Sequence, residues 1–153
     1  STGPTRLPDR TEREQRQRAA EWFDRGVALE QANDAEAAAE AYRRALEVQP
    51  DHGDAATNLG RLLHAEGRLR EAARLYRRAL ATDPGDAIAH YNLALVLEDL
   101  GRPAAALRHY RRAVATAPEF ADAHYNLARL FEGLGRHVDA VRHFLMYSTL
   151  TQG

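Results

Sequence analysis

Residues 87–120 read AIAHYNLALVLEDLGRPAAALRHYRRAVATAPEF, and this stretch decides the fold. Shifted by 34 residues its columns return: Pro50, Pro84 and Pro118 at one offset, Ala38, Ala72, Ala106 and Ala140 at another, Tyr42, Tyr76, Tyr110 and Phe144 at a third. Gly26, Gly60, Ala94 and Ala128 form a column of small residues, as two closely touching helices beside an aromatic require. Leu29, Leu63, Leu97 and Phe131 form a further apolar column. A period of this size marks a repeat architecture, in which each unit buries its apolar face against its neighbours. Four copies, 19–52, 53–86, 87–120 and 121–153, nearly exhaust the chain.

Within a copy the apolar residues fall at helical spacing, as in Leu59, Leu62 and Leu63, then Ala72, Leu75, Tyr76, Ala79 and Leu80. Each copy therefore holds two helices. Gly67, Gly101 and Gly135 stand between them, with Asn33 in the first copy, where a left-handed backbone is needed. Pro50, Pro84 and Pro118 close the second helices. Helices are expected near 19–32, 36–48, 53–66, 70–82, 87–100, 103–116, 121–134 and 137–150. Thr11 followed by Glu14 reads as a capping box, so the first helix is expected to start early, near Glu12. Residues 1–10 carry Pro4 and Pro8 without periodicity and read as a disordered leader before a single domain over 11–153. Ser1-Thr2-Gly3, without an initiating Met, reads as a remnant of processing or excision.

These columns, with Trp22 near the start of the first helix, resemble the tetratricopeptide repeat family. The resemblance implies an all-α fold, a right-handed superhelical solenoid of antiparallel helix pairs, with four repeats in one domain. It also implies that the first helix of each repeat lines a concave groove.

Composition excludes most catalytic chemistry. The chain has no cysteine and no lysine, which removes thiolate nucleophiles, cysteine metal sites, phosphate-binding P-loops and Schiff-base enzymes. The only serines are Ser1 and Ser148, neither in a nucleophile-elbow context. The reading is a non-enzyme without a cofactor. No apolar run approaches the ~20 residues of a membrane span, and a cytoplasmic location is expected. A net charge of −1 opposes a generally basic, nucleic-acid-coating protein.

The resemblance places four columns toward the groove: Phe23, Thr57, Tyr91, Tyr125; Asp24, Asn58, Asn92, Asn126; Val27, Arg61, Leu95, Arg129; and Glu30, His64, Glu98, Glu132. Asn58, Asn92 and Asn126 resemble the asparagine ladder in the repeats of O-linked N-acetylglucosamine transferases, which holds extended peptide by its backbone. A carboxamide offers both an acceptor and donors, so it pairs with a peptide unit without reading side chains. Packed helices about 10 Å apart and an extended chain rising about 3.3 Å per residue give one ladder contact every ~3 residues. Three such bonds supply a few kcal/mol, short of the about 8 kcal/mol of a micromolar complex. Phe23, Tyr91 and Tyr125 are candidates for side-chain pockets, and Arg61 and Arg129 for pairing with an acidic ligand. The competing reading is that the asparagines bond neighbouring helices and the tyrosines pack. The carboxylate clamp of chaperone-binding repeats is a poor match: its Lys, Asn, Asn, Lys, Arg set meets Phe23, Val27, Asn58, Ile88 and Asn92 here.

Three other features bear on partners. Arg74, Arg77, Arg78, Arg108, Arg111 and Arg112, with Arg43, Arg44 and Arg142, form an outer stripe, read chiefly as a solvated face. His90 and His124, like His109 and His143, are repeat equivalents expected to pack or face solvent rather than bind metal. At the C-terminal edge Tyr147 replaces the small column Ala45, Ala79, Ala113, so the array is expected to stop there. Leu145, Met146, Tyr147 and Leu150 then leave an apolar edge suited to a second copy or a missing segment. The function these features favour is protein–protein interaction through the groove. The alternatives are a partner-sensing domain of a larger regulator or enzyme, and a self-assembling structural module.

Overall fold

A computed structural model describes residues 3–152; Ser1 and Thr2, read above as part of a processing remnant, lie outside them. Eight helices follow one another among the described residues: α1 Arg10–Gln31, α2 Ala35–Val48, α3 Gly53–Ala65, α4 Leu69–Thr82, α5 Ala87–Asp99, α6 Pro103–Thr116, α7 Ala121–Gly133 and α8 His137–Thr151. Each odd helix packs on the even helix after it, and α2, α4 and α6 then pack on the next odd helix. Contacts thus run only between near neighbours, as an α-helical repeat solenoid requires.

The first helix starts one step earlier than Thr11 suggests. Asp9, in extended conformation, is the N-cap, its Oδ1 accepting from the Glu12 N–H at 2.8 Å while its own N–H donates to Glu12 at 3.1 Å. Thr11 is already inside the helix, so it cannot cap, and the capping box is Asp9–Glu12 rather than Thr11–Glu14. Residues 3–9 carry no helix.

The turn within each repeat is built as expected. Asn33, Gly67, Gly101 and Gly135 have φ of 60°, 79°, 74° and 76°. The residue after each sends its N–H back to the carbonyl of Leu29, Leu63, Leu97 or Phe131, at 2.8–2.9 Å. That pairing is the Schellman motif, and it accounts for the apolar column as the anchor of the turn. Leu63, Leu97 and Phe131 are buried, while Leu29, in the first repeat, is half-buried.

Tyr42, Tyr76 and Tyr110 are fully buried between the helices of their own repeats. A Cβ on Gly26 would stand 2.5 Å from the Tyr42 ring, and one on Gly60 2.8 Å from the Tyr76 ring. Glycine in this column lets the ring rest directly on the helix backbone; Ala94 and Ala128 fill the same place in repeats three and four.

The two buried polar residues among those described are His90 and His124. His90 Nε2 lies 2.8 Å from the Pro84 carbonyl and must carry a proton there; its Nδ1 then accepts from His109 Nδ1–H, 3.0 Å away. His124, His143 and the Pro118 carbonyl repeat the relay at 2.9 and 2.7 Å. The histidines therefore pack as expected, but each first-helix imidazole pairs within its own repeat rather than with the next copy. A second proton on such a pair would set two N–H groups head to head. Burial first, then the His90 ring and the guanidinium groups of Arg77, Arg108 and Arg112, push the His109 pKa down to about 4 from 6.5. Burial and His124 lower His143 likewise. The unfolded chain binds these protons more readily than the folded one, so stability is complete above pH 6.5 and is lost as pH falls toward about 4. Thermal unfolding followed by circular dichroism is expected to show a midpoint falling over that window, with a shallower fall in His109→Leu.

Candidate peptide-binding groove

The first helices α1, α3, α5 and α7 carry the four groove columns, and the chemistry there is not uniform. At the junction of repeats one and two, the Tyr42 hydroxyl donates to Glu30 at 2.5 Å and Arg61 donates to both Glu30 oxygens at 2.8 and 2.9 Å. The Asn58 amide N–H reaches the Tyr42 oxygen at 3.3 Å. At the junction of repeats three and four, Tyr110 donates to Glu98 at 2.5 Å and Arg129 to the same carboxylate at 2.6 and 2.8 Å. Asn126 there donates to Tyr91 at 3.0 Å. Burial first, then the bond to Glu30, pushes Tyr42 up to about 12, and the same two causes raise Tyr110. Both phenols are therefore neutral O–H donors at physiological pH.

The middle junction breaks the pattern. The Glu column holds His64, which turns away to Asp99 at 2.6 Å, and the Arg column holds Leu95. Tyr76, buried and pushed up to about 12 by that burial, has no side-chain hydrogen-bond partner among the described residues. Asn92 has none either, and Thr57 Oγ1 is the one buried side-chain polar atom among those described that lacks a partner. Thr57 also stands where the other repeats carry an aromatic.

Those aromatics pack in a regular way. Phe23 lies 5.7 Å from Tyr42 and 5.1 Å from His52; Tyr91 lies 5.8 Å from Tyr110 and 4.8 Å from Phe120; Tyr125 lies 5.9 Å from Phe144 and 5.1 Å from Tyr147. Each rests on its own repeat's second helix and on a ring near its C-terminal boundary, and Tyr125 remains 43% exposed. Arg61 and Arg129, by contrast, are already held by carboxylates. Free availability to a ligand was the expectation for them; the acids that hold them, Glu30 and Glu98, sit 31 positions earlier.

The tetratricopeptide repeat profile matches residues 23–87, 65–118 and 91–149, most of the chain. The protein belongs to the tetratricopeptide repeat family. No curated protein matches it in sequence. Among solved structures, a MamA crystal structure superposes with a TM-score of 0.80 at 21% identity, covering 86% of this chain and 77% of that one. MamA from residue 41 onward of Desulfovibrio magneticus RS-1 gives 0.77 at 23%, covering 90% and 78%. YrrB, described as a TPR protein with an unusual peptide-binding site, gives 0.79 at 22%, covering 91% and 72%. At these identities the likeness is one of fold.

The two kinds of junction differ measurably. A hydrogen bond to a charged group contributes about 1.5–3 kcal/mol, less where water reaches the pair. Tyr42→Phe and Tyr110→Phe are each expected to destabilise by about 1–2 kcal/mol in urea unfolding, whereas Tyr76→Phe, which removes an unpartnered hydroxyl, stays within about 0.5 kcal/mol.

Proposed function

We propose that this chain is a non-enzymatic, cytoplasmic protein–protein interaction module that holds an extended or helical peptide segment in its concave groove. The observation that carries the reading is the unpaired polar set of the middle junction: Thr57 Oγ1, the Tyr76 hydroxyl and the Asn92 carboxamide. Of these, Thr57 Oγ1 alone is closed off from solvent and carries the cost of an unmade bond, while the Tyr76 hydroxyl and the Asn92 carboxamide stay open to pair with a ligand's peptide N–H and C=O. Asn58 and Asn126 each spend one N–H on a tyrosine and keep a second N–H for the same ligand; the Asn58 carbonyl is likewise unspent, while that of Asn126 takes a long 3.4 Å bond from Arg129. Phe23, Tyr91 and Tyr125 supply apolar contact on either side. Arg61 and Arg129 act through Glu30 and Glu98, and an acidic ligand side chain must compete with those carboxylates. YrrB, a TPR protein of similar fold with an unusual peptide-binding site, supports the same reading.

The test is selection from a displayed random-peptide library, followed by calorimetry of the selected peptide. Asn92→Ala is expected to weaken binding about tenfold, at about 1.4 kcal/mol per decade, with helicity unchanged, and Asn58→Ala and Asn126→Ala by less. Affinity unchanged across all three variants would sink the ladder reading.

A second reading, self-association at the C-terminal edge, is favoured by exposure. Leu134, Val138, Val141, Leu145 and Met146 are all exposed large apolar residues, with Leu145 at 63%, while Leu150 is half-buried and Tyr147 leans onto Tyr125. Val138, Val141 and Leu145 fall at i, i+3 and i+7 of α8, a stripe suited to the same stripe of a second copy. Multi-angle light scattering at micromolar concentration is expected to give a dimer that Leu145→Arg converts to monomer; a wild-type monomer removes this reading.

A further inference from the structure

The convex surface carries a site of its own, apart from the groove. On α4, Arg70, Arg74 and Arg77 stand at i, i+4 and i+7, and with Arg102, the N-cap of α6, they surround a hollow of about 470 Å³ floored by Ala73 and Leu100. None of the four arginines takes part in an ion pair among the described residues, and all are exposed. The nearest carboxylates in sequence are engaged elsewhere: Glu71 by Arg68 at 2.9 Å, Asp99 by His64 at 2.6 Å.

One repeat earlier the molecule supplies its own comparison. The equivalent positions on α2 are Glu36, Glu40 and Arg43, lining a hollow of about 460 Å³ with Asp34. There the arginines are neutralised, Arg43 and Arg44 both pairing with Glu40. A face kept charged only for solvation carries both signs, as that one does. The reversal from Glu36 and Glu40 to Arg70 and Arg74 concentrates guanidinium groups without counter-charge. Their field reaches inward, since Arg77 is among the groups that depress His109.

We propose that this hollow binds an acidic segment of a partner protein, its side-chain oxyanions paired with Arg70, Arg74, Arg77 and Arg102 while a neighbouring apolar side chain rests on Ala73 and Leu100. Guanidinium forks match carboxylate and phosphoryl oxygens two at a time, which favours this chemistry over a single hydrated cation site. A nucleic acid needs cations continued along its backbone in both directions; they continue into repeat three at Arg108, Arg111 and Arg112, but the acidic hollow of repeat one ends the track on the other side. The apolar floor likewise suits a peptide side chain.

Side-chain arginine NMR of the isotopically labelled full chain tests the proposal with three probes: hexaglutamate, a hexapeptide carrying two phosphoserines around a leucine, and oligothymidylate of equal charge. Saturable shifts are expected at Arg70, Arg74, Arg77 and Arg102 with either peptide, weakening with salt, while Arg43 and Arg44 stay still. The tighter peptide identifies carboxylate or phosphoryl as the source. The double variant Arg74→Gln, Arg77→Gln is expected to lose about tenfold or more in affinity without changing the thermal midpoint. The proposal is overturned by no saturable shift at millimolar peptide, by equal shifts at Arg43 and Arg44, by an unaffected double variant, or by tighter binding of oligothymidylate than of both peptides. Because both probes and readouts sit on the convex face, these outcomes are independent of groove binding.

Discussion

The Tyr42 ring lies against the backbone of Gly26, and the Tyr76 ring against Gly60, at a distance that leaves no room for a side chain. This approach sets the spacing of the two helices in repeats one and two, Ala94 and Ala128 keep the column small in the other two, and the rest of the array follows from it. Helices held that close form a thin pair with two broad faces, neither of which one pair buries alone. Stacking is the only way to cover both, so a repeat of this size stands only in company. The first helices then fall in line along one side, and the groove is a by-product of that packing.

What the sequence made legible is what recurs. The turn residues Asn33, Gly67, Gly101 and Gly135 each answer a local backbone demand that any copy must meet. So do the tyrosine column and the small residues facing it. The cap of α1 was misread because it lies outside the repeat, where no second copy shows that Thr11 is helical and Asp9 is not. The groove bonds were illegible for another reason. Glu30 to Arg61 and Glu98 to Arg129 join residues 31 positions apart, a separation fixed by the stacking of one repeat on the next and by no helical period. The partners of His90 and His124 were illegible too, because His109 and His143 come from the other helix of the same repeat, at a separation no helical period marks.

Where the copies disagree, the molecule becomes specific. Thr57, His64 and Leu95 each depart from their columns at one junction, and together they strip Tyr76 and Asn92 of the partners their counterparts enjoy. Glu36 and Glu40 become Arg70 and Arg74 on the opposite surface of the same part of the array. Both changes leave the tyrosine column, the small residues facing it and the turn residues untouched, and those are the contacts every copy shares.

The Glu–Tyr–Arg set occurs at the first and third junctions and not at the second, so the backbone repeats every 34 residues while its two closed junctions stand 68 residues apart. The doubled cell is about 20 Å long, two helix spacings of about 10 Å. An extended chain rising about 3.3 Å per residue crosses it in about six residues. Under the groove reading proposed above, an extended guest would meet like surroundings about six residues apart, and a slip by about three would carry its peptide groups from a closed junction to the open one.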